Sequence, residues 1–328
     1  MQSFRTTINP LKDNSGLISH DRPIVMLGSC FTENIGSRLR SELFDVIINP
    51  CGTLYNPASI ASTLLDLLYE RDYTRDELFL HDGLWHSYSH HTRFSGTDPD
   101  ATLAAMNSAA KEAREALSRA SALIITFGTA YIYRLKDNNR VVANCHKMPA
   151  DRFTRELLTV TQTVGLWKKM LREISARFPQ LKVIFTVSPI RHLADGAHGN
   201  QISKSTLLLA IDRLIAENPS SALYFPSYEI MLDDLRDYRF YAADMVHPSD
   251  VAVDYIYGIF KESFMTAPTA ELSKSLSKFA KRLLHRPMTP SQELRDKFTD
   301  DTERIKQELL TSHPYLEKAI SRLNNPLL

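Results

Sequence analysis

Cysteine is scarce in this sequence, with three residues among 328. An odd and small number of cysteines excludes a disulfide framework. Glycine (11 residues) and proline (16 residues) are also few, which excludes a collagen-like composition. With 43% hydrophobic residues the chain has enough apolar side chains to fold around a core, so a disordered protein is excluded too.

The sequence also lacks a charge of one sign and any long apolar run. Its 39 Lys and Arg against 38 Asp and Glu leave a net charge of +1. We therefore expect no binding to nucleic acid through gross electrostatics. No apolar run reaches the roughly 18 residues of a membrane span. The first residues show no apolar stretch of the roughly 7–15 residues typical of a secretory signal, and we expect a cytoplasmic protein.

Short apolar runs alternate with longer helical patterns along most of the chain. The runs lie at residues 24–27, 46–48, 122–127, 182–187 and 222–225. Continuous apolar strands joined by helices are typical of a parallel sheet covered on both faces. The pattern therefore predicts an α/β fold, a three-layer doubly wound sandwich. Hairpins are predicted as insertions at residues 77–95 and 131–143, and a long helix at 156–178.

The chain after residue 265 has no strand pattern. Residues 266–328 are rich in Lys and Glu, have helical periodicity and are interrupted by Pro287 and Pro290. We expect a domain over residues 1–265 and a helical C-terminal extension over 266–328. The extension would pack on the domain or form a homo-oligomer.

Candidate chemistry lies where the predicted strands end, since ligands bind at the carboxyl edge of such sheets. The first run ends at Gly28-Ser29 and leads into a helix. A serine on a sharp strand-to-helix turn is exposed at the sheet edge and is a candidate nucleophile. The alternative is that Ser29 only caps the helix.

A second candidate segment is Asp244-Met245-Val246-His247, after the last predicted strand. A serine nucleophile needs a base, and the base needs an acceptor that fixes its tautomer. Asp and His three residues apart in a loop can supply both. The alternative is that Asp244 or Ser249 only caps the following helix.

Gly28-Ser29-Cys30-Phe31 is the signature of the GSCFA domain family, and the chain resembles that family over about residues 5–265. The family's fifth letter, alanine, is Thr32 here. Further segments that look like the family follow in order, at residues 49–57, 144–147, 187–192, 224–229, 235–241 and 244–248.

The family in turn resembles the SGNH/GDSL hydrolases, which are flavodoxin-like esterases. The resemblance implies that Ser29 is the nucleophile, His247 the base and Asp244 its orienting partner. It also implies an oxyanion hole formed by the backbone N–H groups of Ser29 and Gly52.

One position departs from the superfamily pattern. Its G-x-N-D block falls on Gly128-Thr129-Ala130-Tyr131, so the asparagine donor is missing. Candidates for a substitute donor or a substrate contact are Thr129, Asn144, His146 and His192. For His192 the alternative is a helix cap or a core histidine.

We expect no cofactor and no metal. His86 and His90 are four residues apart, which suits a helix, whereas the local pattern predicts a hairpin. This segment is more readily an aromatic edge of the substrate cleft than a zinc site.

The sequence thus predicts a serine esterase that cleaves an O-acyl ester of a carbohydrate or another small molecule. The alternatives are an acyltransferase with the same residues, or a binding or scaffold protein on an inactive hydrolase fold.

Overall fold

The computed structural model describes residues 5–11 and 14–323. The strands in chain order are β1 (Ile24–Gly28), β2 (Val46–Ile48), β3 (Leu78–His81), β4 (Leu84–Ser87), β5 (Ala122–Phe127), β6 (Tyr131–Leu135), β7 (Val141–Val142), β8 (Phe153–Leu157), β9 (Lys182–Val187) and β10 (Ala222–Tyr224). The helices are α1 (Cys30–Ser41), α2 (Pro57–Leu68), α3 (Pro99–Leu117), α4 (Val160–Arg177), α5 (Gly196–Glu217), α6 (Ser227–Glu229), α7 (Asp250–Phe264), α8 (Ala267–Leu284), α9 (Gln292–Ser312) and α10 (Glu317–Leu323).

Five parallel strands form the central sheet in the order β10-β9-β5-β1-β2. In the middle of the sheet Ile24 pairs with Val46 on one side and with Ala122 on the other. Taken in chain order these strands have the 2-1-3-4-5 arrangement of flavodoxin-like doubly wound folds. The α/β class predicted from the alternating patterns is therefore confirmed.

The strands are apolar throughout because helices cover both faces of the sheet. Val25 and Leu27 of β1 face a core that includes Leu64 of α2, Trp167 of α4 and Leu207 of α5. Ile24 and Met26 face the opposite core, together with residues of α1 and α7. Alternate side chains of one strand thus enter two different cores, which explains the continuous apolar runs.

Two antiparallel units extend from the central sheet. The predicted hairpin at residues 77–95 is confirmed as β3 and β4, with Leu78 opposite Ser87. The predicted hairpin at 131–143 is confirmed as β6 and β7. The structure adds β8, in which Leu157 pairs with Tyr131. The start of the helix predicted at residue 156 was wrong, because residues 156 and 157 belong to β8 and pair with β6. Helix α4 begins after Thr159, whose side chain caps it.

The C-terminal helices fold back onto the domain. Leu276 and Phe279 of α8 and Ile320 of α10 pack around Leu43, which follows α1. The helical pattern is interrupted where Pro287 and Pro290 predicted, since α8 ends at Leu284 and α9 begins at Gln292. In the part of the chain that the structure describes, no helix is both long and apolar enough to cross a membrane.

Arg322 links α10 to the domain through a buried ion-pair cluster. Its guanidinium lies 2.6 Å from Glu112 of α3 and also contacts Asp45. The side chains of Arg322 and Asp45 are 8% and 7% exposed. Each charge is therefore compensated mainly by its partner rather than by water.

We predict that Arg322→Ala destabilises the protein by about 3–5 kcal/mol, because it leaves the Asp45 carboxylate buried without its cation. Chemical denaturation measures this loss. The matched control is Arg304→Ala in α9, whose exposed pairs with Asp301 and Glu308 contribute at most about 1 kcal/mol. Equal denaturation midpoints for the two variants would contradict the prediction.

Candidate functional site

A cleft of about 570 Å³ lies at the carboxyl edge of the central sheet. Ser29 follows β1, Thr129 follows β5 and His192 follows β9, and all three line this cleft. His247 lines it from the loop before α7. Segments far apart in sequence meet here because the parallel strands end at one edge.

Ser29 lies at a tight strand-to-helix turn whose backbone conformation requires glycine at position 28. Gly28 has a φ of +150°, and a Cβ on it would lie 2.3 Å from the carbonyl oxygen of Thr126 on the neighbouring strand. Ser29 caps α1, and its Oγ accepts a 3.3 Å hydrogen bond from the N–H of Phe31. The capping alternative is thus real, but it uses only a lone pair of Oγ. The hydroxyl proton stays available for transfer to a base.

The backbone N–H of Ser29 donates to the carbonyl of Thr126 over 3.3 Å. This bond is long for an amide hydrogen bond, so it is weaker than a typical ladder bond. A ligand oxygen in the cleft would compete with that carbonyl for the N–H.

His247 is held by Asp244. Oδ2 of Asp244 lies 2.6 Å from Nδ1 of His247, and Oδ1 accepts from the N–H groups of Val246 and His247, each over 2.9 Å. Backbone hydrogen bonds, first from His247 and then from Val246, lower the pKa of Asp244 to about 2.

An ionised carboxylate can only accept hydrogen bonds, so Nδ1 of His247 carries the proton. Nε2 is then the acceptor nitrogen of the neutral ring. Among the hydrogen bonds of the described residues, none joins His247 to Ser29, although both line the cleft.

His192 lies close to Ser29, next to Gly128. A Cβ built on Gly128 would be 3.2 Å from Cβ of Ser29 and 3.3 Å from Nε2 of His192. This nitrogen is buried and has no hydrogen-bond partner among the described residues. Burial, and next the charge of Lys204, lower the pKa of His192 to about 4. The ring is therefore neutral at physiological pH.

Three polar residues on one face of α5 bind the backbone of the loops after β5 and β9, which form the floor of the cleft. Asn200 accepts from the backbone N–H of His192 over 2.9 Å. Ser203 accepts from the N–H of Ala130 over 2.8 Å. Nζ of Lys204 donates to the carbonyls of Gly128 and Ser188, both over 2.7 Å.

Sequence reasoning missed Lys204, which is 1% exposed. A signal was present, because Asn200, Ser203, Lys204 and Leu207 follow the i, i+3, i+4, i+7 spacing of a core-facing helix stripe. Burial lowers the pKa of Lys204 to about 7. Polar residues at the core-facing positions of a helix indicate that the helix packs against a polar site.

Ala130 is fully buried in the core beside the sheet, so nothing at this position donates into the cleft. Thr129 lines the cleft, but its hydroxyl lies 3.0 Å from Ser203 Oγ and accepts from the N–H of Tyr131. The Thr129 hydroxyl is thus committed to the floor of the cleft.

Gly52 serves a turn rather than the cleft. Its N–H donates to the carbonyl of Asn49 over 2.7 Å, and Gly52 is not among the cleft-lining residues. Its φ is +81°, and a Cβ on it would lie 2.2 Å from Cβ of His91. The glycine is required by this close approach and by the turn, and its N–H is occupied in this geometry.

Asn144 and His146 separate in the structure. Asn144 lines the cleft and accepts from the backbone N–H of His146 over 2.8 Å. The His146 ring points away and its Nε2 donates to the carbonyl of Ser87 over 2.8 Å. The ring packs 4.5 Å from that of His86.

The β3–β4 hairpin therefore supports the Asn144 loop from behind. Its residues do not line the cleft, so the expected aromatic edge lies elsewhere, at Tyr55, Tyr131 and Tyr133. Within residues 5–11 and 14–323 no three His, Cys, Asp or Glu side chains are grouped as metal ligands would be. The three cysteines are free thiols.

Buried neutral histidines predict acid sensitivity. Burial lowers the pKa from 6.5 to about 3 for His90 and to about 4 for His146 and His192. Between these values the unfolded chain binds protons that the folded chain does not, so stability falls as the pH decreases from 6.5 towards 4. Each histidine contributes about 1.4 kcal/mol per pH unit in that window.

We expect the unfolding free energy, measured by denaturation from pH 7 to pH 4, to decrease steeply below pH 6.5. His90→Gln removes one of these groups and should make the decrease shallower. A stability that stays constant over this range would contradict the assignment of neutral buried rings.

Comparison with known proteins identifies a family and distant structural neighbours. Residues 23–260 match the model of the GSCFA family. No curated protein matches the sequence. A family two carbohydrate esterase from Clostridium thermocellum, solved with cellohexaose, is 13% identical with a TM-score of 0.35, over 79% of this chain and 66% of that chain.

Two further solved structures are similar at the same level. A carbohydrate esterase of family 3 from Talaromyces cellulolyticus is 12% identical with a TM-score of 0.33, over 77% of this chain and 99% of that chain. The acetyl xylan esterase Est2A from the rumen bacterium Butyrivibrio proteoclasticus is 10% identical with a TM-score of 0.34. The match covers 81% of this chain and 65% of that chain. The chain thus spans about two thirds of the length of the first and third of these neighbours.

Proposed function

Since this chain belongs to the GSCFA family, we propose that it is a serine esterase with Ser29 as nucleophile, His247 as base and Asp244 as its partner. One observation carries the proposal. Ser29, on a strand-to-helix turn, lines one cleft with a histidine whose Nδ1 is 2.6 Å from a carboxylate. These residues have the chemistry of a hydrolytic triad.

The proposed reaction has two halves. Ser29 Oγ attacks the ester carbonyl and gives its proton to Nε2 of His247. The tetrahedral intermediate collapses when the leaving alcohol takes this proton from His247. Water then attacks the acyl-enzyme with His247 again as base, which releases the acid and restores Ser29. Asp244 stabilises the imidazolium in both halves.

The oxyanion would be held by two groups, the backbone N–H of Ser29 and Nε2–H of His192. We choose His192 because its Nε2 is buried, without a partner among the described residues, and adjacent to Ser29 across Gly128. The neutral ring carries one proton, so the tautomer protonated at Nε2 can donate. The N–H groups of Ser29 and Gly52 both donate to backbone carbonyls in this structure, over 3.3 Å to Thr126 and over 2.7 Å to Asn49. We leave Gly52 out of the proposed hole because its bond is the shorter one and because it does not line the cleft.

The proposed substrate is an O-acyl ester of a carbohydrate or another small molecule. The cleft of about 570 Å³ lies within the usual range of small-molecule sites, about 300–1,000 Å³. Tyr55, Tyr131 and Tyr133 in its walls offer aromatic surface and hydroxyls to a sugar ring. Location in the cytoplasm stays a prediction from the sequence.

Ser29→Ala tests the nucleophile. We expect wild-type protein to react with a fluorophosphonate probe and to hydrolyse p-nitrophenyl acetate, and the variant to lose labelling and at least about 10³-fold in kcat. The control is Ser41→Ala on the same helix, whose hydroxyl donates to the carbonyl of Arg38. Labelling that persists in Ser29→Ala would exclude Ser29. Wild type without labelling or turnover would favour the binding or scaffold alternative.

His192→Ala tests the second donor of the proposed oxyanion hole. We expect kcat to fall by about 10²–10³ with little change in KM, since the lost hydrogen bond forms in the transition state. His192→Gln retains an N–H donor and should recover part of the rate. Thermal melts of both variants check folding. An unchanged kcat in a folded His192→Ala would exclude His192 from the oxyanion hole.

A further inference from the structure

Arg191 places a cation in the cleft next to the proposed base. It follows β9, and its backbone N–H donates over 3.3 Å to the carbonyl of Val246, the residue before His247. This hydrogen bond joins the Arg191 loop to the His247 loop. Both side chains line the cleft.

The guanidinium of Arg191 is not compensated by an acid. Its guanidinium carbon lies 5.8 Å from the centroid of the Tyr241 ring, and its charge also acts on the Tyr228 hydroxyl. Among the residues that the structure describes, no carboxylate lies within ion-pair distance of this guanidinium, and its recorded contact is with an aromatic ring. An arginine with free donors beside a reactive serine is suited to bind an anionic group, since its fork of N–H groups matches a carboxylate.

The second arginine of the cleft provides the contrast. Arg155 forms an ion pair with Asp195 and lies over Tyr131, with its guanidinium carbon 3.8 Å from the ring centroid. Its charge is therefore compensated within the protein. Arg155 thus has a structural role in the lining of the cleft, whereas the N–H groups of Arg191 can donate to a ligand.

The acids near the cleft already have partners other than Arg191. Lys204 lies beneath the floor with two carbonyl partners and no carboxylate. Of the acids, Asp195 is paired with Arg155, and Asp244 is hydrogen-bonded to His247 and to backbone N–H groups. Of the two arginines that line the cleft, Arg155 is thus paired with an acid and Arg191 is not.

We infer that Arg191 is an anion-binding residue and that the substrate of this cleft is a small ester with an anionic group on its alcohol part. That the bound molecule is a substrate rests on the proposed function. That an anion binds rests on Arg191 alone. The proposed mechanism indicates why the anionic group belongs to the alcohol part of the ester. His247 passes its proton to the leaving alcohol, so the alcohol lies near His247, and Arg191 is fastened to the same loop.

A binding experiment tests the site without catalysis. Calorimetry compares 4-acetamidobenzoate with its neutral isostere 4-acetamidobenzamide on folded Ser29→Ala protein, since the amide bond resists cleavage. We expect the carboxylate to bind about tenfold more tightly or better, the range of a hydrogen bond to a charged group. The preference should disappear in Ser29→Ala/Arg191→Met and survive in part in Ser29→Ala/Arg191→Lys.

The control is Arg236→Met, which removes an exposed arginine paired with Asp233 outside the cleft and should leave the preference unchanged. A sulfonate analogue identifies which anion binds best. Equal binding of carboxylate and amide, binding of neither at millimolar concentration, or a preference that persists without Arg191 would each overturn the inference. A loss of equal size in Arg236→Met would also overturn it, because the effect would then come from the overall field.

Kinetics on wild-type protein separate the two proposals. With 4-acetoxybenzoate and 4-acetoxybenzamide as substrates, we expect the ratio of kcat/KM values to favour the anion and to fall towards one in Arg191→Met. A glutarate mono-ester of p-nitrophenol, anionic on its acyl part, should show a smaller dependence on Arg191. Turnover that requires Ser29 but ignores the anion would overturn only the anion site. Arg191-dependent binding without any turnover would overturn only the esterase.

Discussion

The buried ammonium of Lys204 ties α5 to the ends of two neighbouring strands. Taking this charge out of water costs several kcal/mol, and the hydrogen bonds to the carbonyls of Gly128 and Ser188 offset part of that cost. The same two carbonyls would be buried and unpaired without it. Ser203 and Asn200 add bonds to Ala130 and His192 from the same helix face. The loops after β5 and β9 are therefore held by side chains of one helix.

This arrangement fixes the chain at Ala130, after β5. Ala130 turns into the core and is anchored by its backbone N–H to Ser203, so the chain after β5 keeps its path. His192 then occupies the space next to Gly128, where an added Cβ would crowd both the imidazole, at 3.3 Å, and Ser29 Cβ, at 3.2 Å. The positive charge of Lys204 disfavours protonation of this ring, as does its burial. A neutral imidazole beside the serine is thus a consequence of how α5 is packed.

Local contacts were predictable from the sequence. Asp244 and His247 are three residues apart, and the loop between them is too short to separate their side chains, so their hydrogen bond follows from the spacing. Ser29 lies directly after an apolar run and at a glycine, which fixes its place at the sheet edge. Contacts between distant segments were not predictable in this way. Gly52 was assigned by its motif, yet its position is explained by the approach of His91.

The sequence by itself determined the alternation of strands and helices, the edge at which the polar motifs meet and the pairing within the Asp244–His247 loop. Each of these depends on periodicity or on residues a few positions apart. The tertiary structure decided the rest: that β8 pairs with β6, that Arg322 reaches Asp45, and that Lys204 supports the cleft while Arg191 faces it without an acid. A charged side chain has no fixed role until its partner is known. That partner comes from another segment of the chain, which only folding brings within hydrogen-bond distance.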